Sequence, residues 1–305
     1  MKIRANQIEI EVEDSAFGDP QAQQLPVVLL IMGLGMQLIA WPPQLVQALV
    51  DAGYRVLRMD NRDVGLSSKM GHLGRPSMMW SLIKLRMGLA VRPPYTVSDM
   101  AADAAGVLDT LGVSRAHVVG VSMGGMIAQR LAVAHRERVL SLTSIMSSSG
   151  DSRLPGPQPH ILRMMLSRPD NSSEQAQLEH YVRLFRAIGS PAFPIADAEL
   201  KERILRGVQR SVYPQGTARQ MLAVAADADR ARTLDQIHAP TLVVHGRADP
   251  LVPFACGEDT ARRIAGAQLL AIEGMGHDLP AEPVARIVEA MITHLRSADR
   301  LGAQP

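Results

Sequence analysis

The chain has 305 residues, 47% of them hydrophobic, enough to bury a full core and near the upper size of one domain. Acids and bases nearly balance, to a formal net charge of +2, and are spread along the chain, which excludes the basic stripe that nucleic-acid binding needs. The apolar runs fall well short of the about 20 residues that cross a bilayer, and a single cysteine, Cys256, excludes an intramolecular disulfide or a multi-thiolate metal site.

In chain order, residues 3–4 and 8–12 alternate apolar and polar side chains, as a half-exposed hairpin does. Residues 1–19 hold no apolar signal core, so a cytoplasmic location is expected. Next comes Val27-Val28-Leu29-Leu30-Ile31, an uninterrupted apolar run, and three more strand-like runs follow at 55–59, 117–121 and 140–145. Such runs predict strands covered on both faces. Helical spacing fills the gaps. Leu45 and Leu49 mark a helix over 41–51 that ends at Gly53. Ser98 is the expected cap of a helix over 100–111, which stops at Gly112. From Met123, a helix turns Met126, Ile127, Leu131 and Ala134 inward and Gln129 and Arg130 outward. Alternating strands and helices predict an α/β fold, a mostly parallel central sheet with helices on both faces.

Two stretches depart from the pattern. Residues 70–94 form a long connection containing Met78-Met79-Trp80 and Leu82-Ile83-Lys84-Leu85, and connections of this length are usually functional or disordered. Its apolar and basic character fits a pocket wall better than membrane-surface attachment. Residues 150–232 are rich in Pro, Arg, Asp and Gln, with amphipathic stretches at 180–187 and 198–208 and no strand pattern. Strand character returns at 241–245 and 268–272, before a helix whose stripe is Val284, Ile287, Val288, Met291 and Leu295. The expected organisation is therefore a core of residues 1–149 and 233–305, with 150–232 inserted as a helical cap.

Gly120-Val121-Ser122-Met123-Gly124 fits G-x-S-x-G. Alone it arises by chance in roughly one chain in ten of this length, but here it stands between a buried strand and an amphipathic helix, the setting of a nucleophile elbow. A serine hydroxyl is nearly inert at neutral pH until a base takes its proton. Of nine histidines, His277 lies in the glycine-punctuated loop Gly274-Met275-Gly276-His277 after a predicted strand. His72, His135, His160, His180 and His294 read as solvated, and His117, His238 and His245 as packing or turn residues. Asp249, in the loop His245-Gly246-Arg247-Ala248-Asp249-Pro250, falls between serine and histidine in the order that such elbows use. These three are the candidate catalytic residues, with Ser122 as nucleophile, His277 as base and Asp249 as the carboxylate that orients it.

An oxyanion hole needs two backbone N–H donors. Met123 supplies one, and Leu34, framed by Met32, Gly33 and Gly35, is expected to supply the other. Met32, Gly33 and Trp80 are the candidate substrate contacts. With aromatic residues at 3% and 17 methionines, the pocket is expected to be flexible and to suit floppy apolar groups. Neither a metal nor an organic cofactor is needed for this chemistry, and Cys256 reads as a small buried hydrophobe.

Taken together, Met32-Gly33-Leu34-Gly35, the 60–68 segment beginning Asp60-Asn61-Arg62-Asp63, Gly120–Gly125, His245–Pro253 and Gly274–His277 resemble the α/β-hydrolase superfamily from end to end. Trp41-Pro42-Pro43, the 60–68 segment and the Gly-Met-Gly-His ending are similar to bacterial carboxylesterases close to aclacinomycin methylesterase. That resemblance implies an α/β-hydrolase fold and hydrolysis of a small-molecule carboxylic ester. Met32 is a departure, since many relatives carry His before the oxyanion glycine. Lactonases, carbon-carbon bond hydrolases and cofactor-free haloperoxidases share the triad, and a non-catalytic small-molecule binder on the same scaffold is the reading from another class.

Overall fold

The computed structural model describes residues 1–302 except 75, 78, 79, 82, 83, 85, 86, 88 and 168–172. Strands β1 (Lys2–Ala5) and β2 (Ile8–Asp14) pair as an antiparallel hairpin with Lys2 opposite Glu11. Its two-residue turn, Asn6-Gln7, has positive φ at both positions, 46° and 68°, the handedness that matches strand twist. β2 runs antiparallel to β4 (Arg55–Met59). From β4 onward every pairing is parallel, through β3 (Val27–Ile31), β5 (Ala116–Val121), β6 (Val139–Ile145), β7 (Thr241–Gly246) and β8 (Gln268–Ile272). The sheet order is β1-β2-β4-β3-β5-β6-β7-β8.

The two cores explain why the apolar run of β3 is unbroken. Val27, Leu29 and Ile31 enter one core, with helices α2 (Val97–Thr110) and α3 (Met123–Ala134). Val28 and Leu30 enter the opposite core, with α1 (Pro43–Asp51) and α9 (Ala281–Gly302). Successive side chains alternate across a strand, so a strand covered on both sides has no solvent face to mark with a polar residue. The stripe of α9 is as expected: Val284, Ile287, Met291 and Leu295 are buried, and Val288 packs against them.

Between β6 and β7 the described residues form α4 (Pro159–Leu166), α5 (Glu174–Ile188), α6 (Asp197–Arg210) and α7 (Pro214–Ala225), with no strand among them. Helix α8 (Phe254–Arg263) follows β7. A small separate core of Val182, Leu200 and Ile204 joins α5 to α6. In the 70–94 connection, Met78, Met79, Leu82, Ile83 and Leu85 lie outside the described residues.

Three expectations are corrected. Thr96, not Ser98, caps α2: its Oγ1 accepts the Asp99 N–H at 3.0 Å, and the Asp99 carboxylate accepts the Thr96 N–H at 2.7 Å. This reciprocal box starts the helix at Val97 and leaves Ser98 inside its first turn. Gln129 is buried rather than outward, because Arg230 covers that side of α3; the Gln129 amide accepts from Arg230 at 3.2 Å and donates to Ser144 Oγ at 3.3 Å. His180 and His294 are buried, since α5 and α9 each turn that face toward neighbouring elements.

Candidate active site

Ser122 joins β5 to α3 with φ 56° and ψ −120°, a region that costs a side-chain-bearing residue about 1–3 kcal/mol. The surroundings enforce it. The Ser122 N–H donates to Ile145 O at 2.9 Å, and Ser147 Oγ donates to Ser122 O at 2.7 Å. Close packing explains the flanking glycines. A Cβ at position 120 would stand 2.1 Å from Gly124 O, and one at position 124 would stand 2.0 Å from Ile31 O. Only hydrogen at both positions lets the turn close against β3 and lift the hydroxyl above the sheet.

His277 approaches from the loop after β8. Its Nε2 lies 3.1 Å from Ser122 Oγ, and its Nδ1 lies 2.7 Å from Asp249 Oδ2. A proton on Nδ1 directed at the carboxylate leaves the Nε2 lone pair for the serine hydroxyl. Asp249 comes from the loop after β7. Its other oxygen, Oδ1, accepts the N–H groups of Leu251 and Val252 at 2.9 and 2.8 Å. Both oxygens are thus directed, and the carboxylate is buried.

Behind the carboxylate stands His245, whose Nε2–H donates to Val252 O at 2.8 Å and lies 3.6 Å from Asp249 Oδ2. Burial holds its pKa below the usual imidazole range, so it stays neutral. The histidine loop is held from α5 and the residues just beyond it. The His277 N–H donates to Ile188 O at 2.7 Å, and the Gly276 N–H donates to Ser190 Oγ at 2.9 Å. Ser190 in turn donates to the Asp278 carboxylate, whose pKa burial pushes above the ordinary range against that bond.

Met123 opens α3, so its N–H has no acceptor within the helix. The 32–36 loop lies beside the serine: a Cβ on Gly33 would come 3.2 Å from Ser122 Cβ. Met32 O accepts from Asn61 Nδ2 at 2.9 Å, and the Gly35 N–H donates to Gln220 Oε1 at 2.9 Å. With Met32 in place of histidine, the β4 loop and α7 hold this turn. The structure therefore brings together Ser122, His277 and Asp249, with Met123, Met32, Gly33 and Leu34 alongside. It does not bring in Trp80, which stands 61% exposed outside this constellation. Asn61, Ser147, Ser190 and Gln220 carry no sequence signal as site residues; Asn61 lies in the 60–68 motif, and Ser190 and Gln220 lie in the stretch expected as a cap.

Among the described residues no three His, Cys, Asp or Glu side chains converge as metal ligands. None of the helices among them is long and apolar enough to cross a membrane. Cys256 is buried, as expected.

Residues 26–283 match the family model described as alpha/beta hydrolase fold. Over 310 aligned residues, covering 95% of this chain and 96% of its relative, the sequence is 31% identical to rhodomycin D methylesterase DnrP of Streptomyces peucetius. A thermophilic esterase from Thermogutta terrifontis superposes with a TM-score of 0.67 at 25% identity, covering 98% of each chain. The enol-lactonase from Burkholderia xenovorans LB400 superposes with a TM-score of 0.72 at 24% identity, over 97% of this chain and 100% of that one.

Proposed function

Because this chain belongs to the alpha/beta hydrolase fold family, we propose that it hydrolyses small to medium apolar carboxylic esters by acyl transfer through Ser122. The observation that carries this reading is the unbroken relay from Ser122 Oγ to His277 Nε2 at 3.1 Å and from His277 Nδ1 to Asp249 at 2.7 Å. Its likeness to rhodomycin D methylesterase along nearly the whole chain supports ester rather than another bond as the target.

In the first step His277 Nε2 takes the hydroxyl proton as Ser122 Oγ bonds to the ester carbonyl carbon. The carbonyl oxygen becomes an oxyanion, held by the N–H groups of Met123 and Leu34. The ester C–O bond then breaks, and the imidazolium gives its proton to the departing alcohol. Water, deprotonated by the same imidazole, attacks the acyl-serine and releases the acid with Ser122 restored. Asp249 fixes the imidazole tautomer and stabilises its cationic form throughout. Residues 150–232 act as a cap over this centre, and the single cysteine suits a reducing, cytoplasmic setting.

The test is turnover of p-nitrophenyl esters by Ser122→Ala, together with labelling by a fluorophosphonate. The variant is expected to lose about 10⁴-fold or more in rate while remaining folded. Wild-type protein should take up the label and the variant should not. Retained turnover in the folded variant ends the proposal, and an unlabelled, inactive wild type returns the chain to the binder reading. A lactone is a cyclic ester that the same steps open, so parallel rates on linear esters and lactones divide those two substrates. A chain-length series of linear esters tests the size preference.

A further inference from the structure

We propose that Gln220, on helix α7, is a positioning residue that sets the oxyanion donor of Leu34. Its side-chain amide spans two loops of the core. Oε1 accepts the Gly35 N–H at 2.9 Å, while Nε2 donates to Arg62 O at 2.8 Å. Gln220 is completely buried, and its bond to Arg62 O is buried with it. One turn earlier on the same helix, Thr217 presses on the same spot: a Cβ on Gly35, which has φ +66°, would stand 2.9 Å from Thr217 Oγ1. From the other side Asn61 holds Met32 O at 2.9 Å. The Met32–Gly33 and Leu34–Gly35 peptide units are thus tied, and the Gly33–Leu34 unit between them, which carries the Leu34 N–H, has its Gly33 O held by the Met36 N–H at 3.1 Å.

An oxyanion donor stabilises the transition state only if it already points at the place where charge develops. The donor comes from a short loop whose Met32 is buried and whose Leu34 packs against the core, and the polar ties at its two ends orient the peptide between them. Gln220 supplies its tie from the insertion between β6 and β7 rather than from the sheet. The insertion therefore acts on the rate of the chemical step as well as on substrate access. This inference rests on the proposed acyl-transfer function.

The experiment compares Gln220→Met, which keeps the volume and removes both hydrogen bonds, with Gln220→Asn, whose amide is drawn back by one methylene. For each, kcat and KM are measured on a p-nitrophenyl ester. Inhibition constants are measured for a trifluoromethyl ketone, which adds Ser122 and places an oxyanion in the hole, and for the matching alcohol, which does not. We expect kcat to fall on the order of 10-fold in Gln220→Met, short of the about 10²–10³ that loss of an oxyanion donor costs, with KM little changed. The ketone should weaken by the same factor as kcat, while the alcohol binds as before, and Gln220→Asn should show the same split with a smaller loss. If Gln220→Met does not fold, Gln220→Asn decides alone. Unchanged kcat in a folded variant overturns the proposal, as does parallel weakening of ketone and alcohol, which marks general damage to the site. Those outcomes leave the acyl-transfer reading standing if wild type is active and labelled at Ser122; an inactive, unlabelled wild type removes both.

Discussion

The backbone N–H of His277 donates to the carbonyl oxygen of Ile188 at 2.7 Å, joining the candidate base to the last residue of α5, a helix between β6 and β7. The adjoining Ser190 hydroxyl accepts from the Gly276 N–H at 2.9 Å and donates to half-buried Asp278. Removing that hydroxyl leaves the buried Gly276 N–H without its acceptor, at a cost of about 1–3 kcal/mol. Ser190→Ala should therefore lower the urea midpoint and reduce ester turnover. A variant matching wild type in both would show that the loop is fixed by other contacts.

Asp249 accepts the imidazole N–H through one oxygen and two backbone N–H groups through the other. Asp249→Asn keeps the shape but presents an amide to Nδ1, which favours the wrong imidazole tautomer. The expected loss in kcat is about 10⁴-fold with the fold retained. Initial rates and circular dichroism test it, and a folded variant within tenfold of wild type would remove Asp249 from its assigned role.

At Gly124 the obstacle to a side chain is backbone, since a Cβ would stand 2.0 Å from Ile31 O. Gly124→Ala forces α3 away from β3 and should cost at least about 3 kcal/mol, the upper end of ordinary overpacking. Gly156→Ala is the control: nothing lies within 4 Å of its added carbon, so a change within about 0.5 kcal/mol is expected. Equal denaturation midpoints for the two variants would contradict the close approach.

Burial lowers the pKa of His117 and of His245 below 6.5. The unfolded chain then takes up protons near pH 6.5 that the folded chain refuses. Their contribution to stability is present above pH 6.5 and is lost as pH falls through the folded values. Urea unfolding should show a falling midpoint between about pH 7 and pH 5, and His117→Gln should flatten part of that slope. A midpoint independent of pH over this range would speak against neutral, buried imidazoles.

Much of the fold was legible in the residues. Period-2 and period-3.6 patterns are local, so the strands, the flanking helices and the helical nature of 150–232 could be read directly. The errors came where a neighbour distant in sequence decided exposure. Gln129 has the polarity of a surface residue and is buried only because Arg230, 101 positions later, covers it. Thr96 rather than Ser98 caps α2 for a local reason, since Asp99 three residues on completes the capping box.

The sequence by itself determined the chemistry that short spacing encodes: a serine between glycines at a strand-to-helix turn, and an aspartate and a histidine in later loops, in that order. Only the tertiary structure decided what holds them in place. Gly35 and Gln220 are 185 residues apart, and Ser122 and His277 are 155 apart. A single buried hydrogen bond between such segments repeats with no period and requires no special residue type beyond one donor and one acceptor. Nothing along the chain announces it until the backbone has folded.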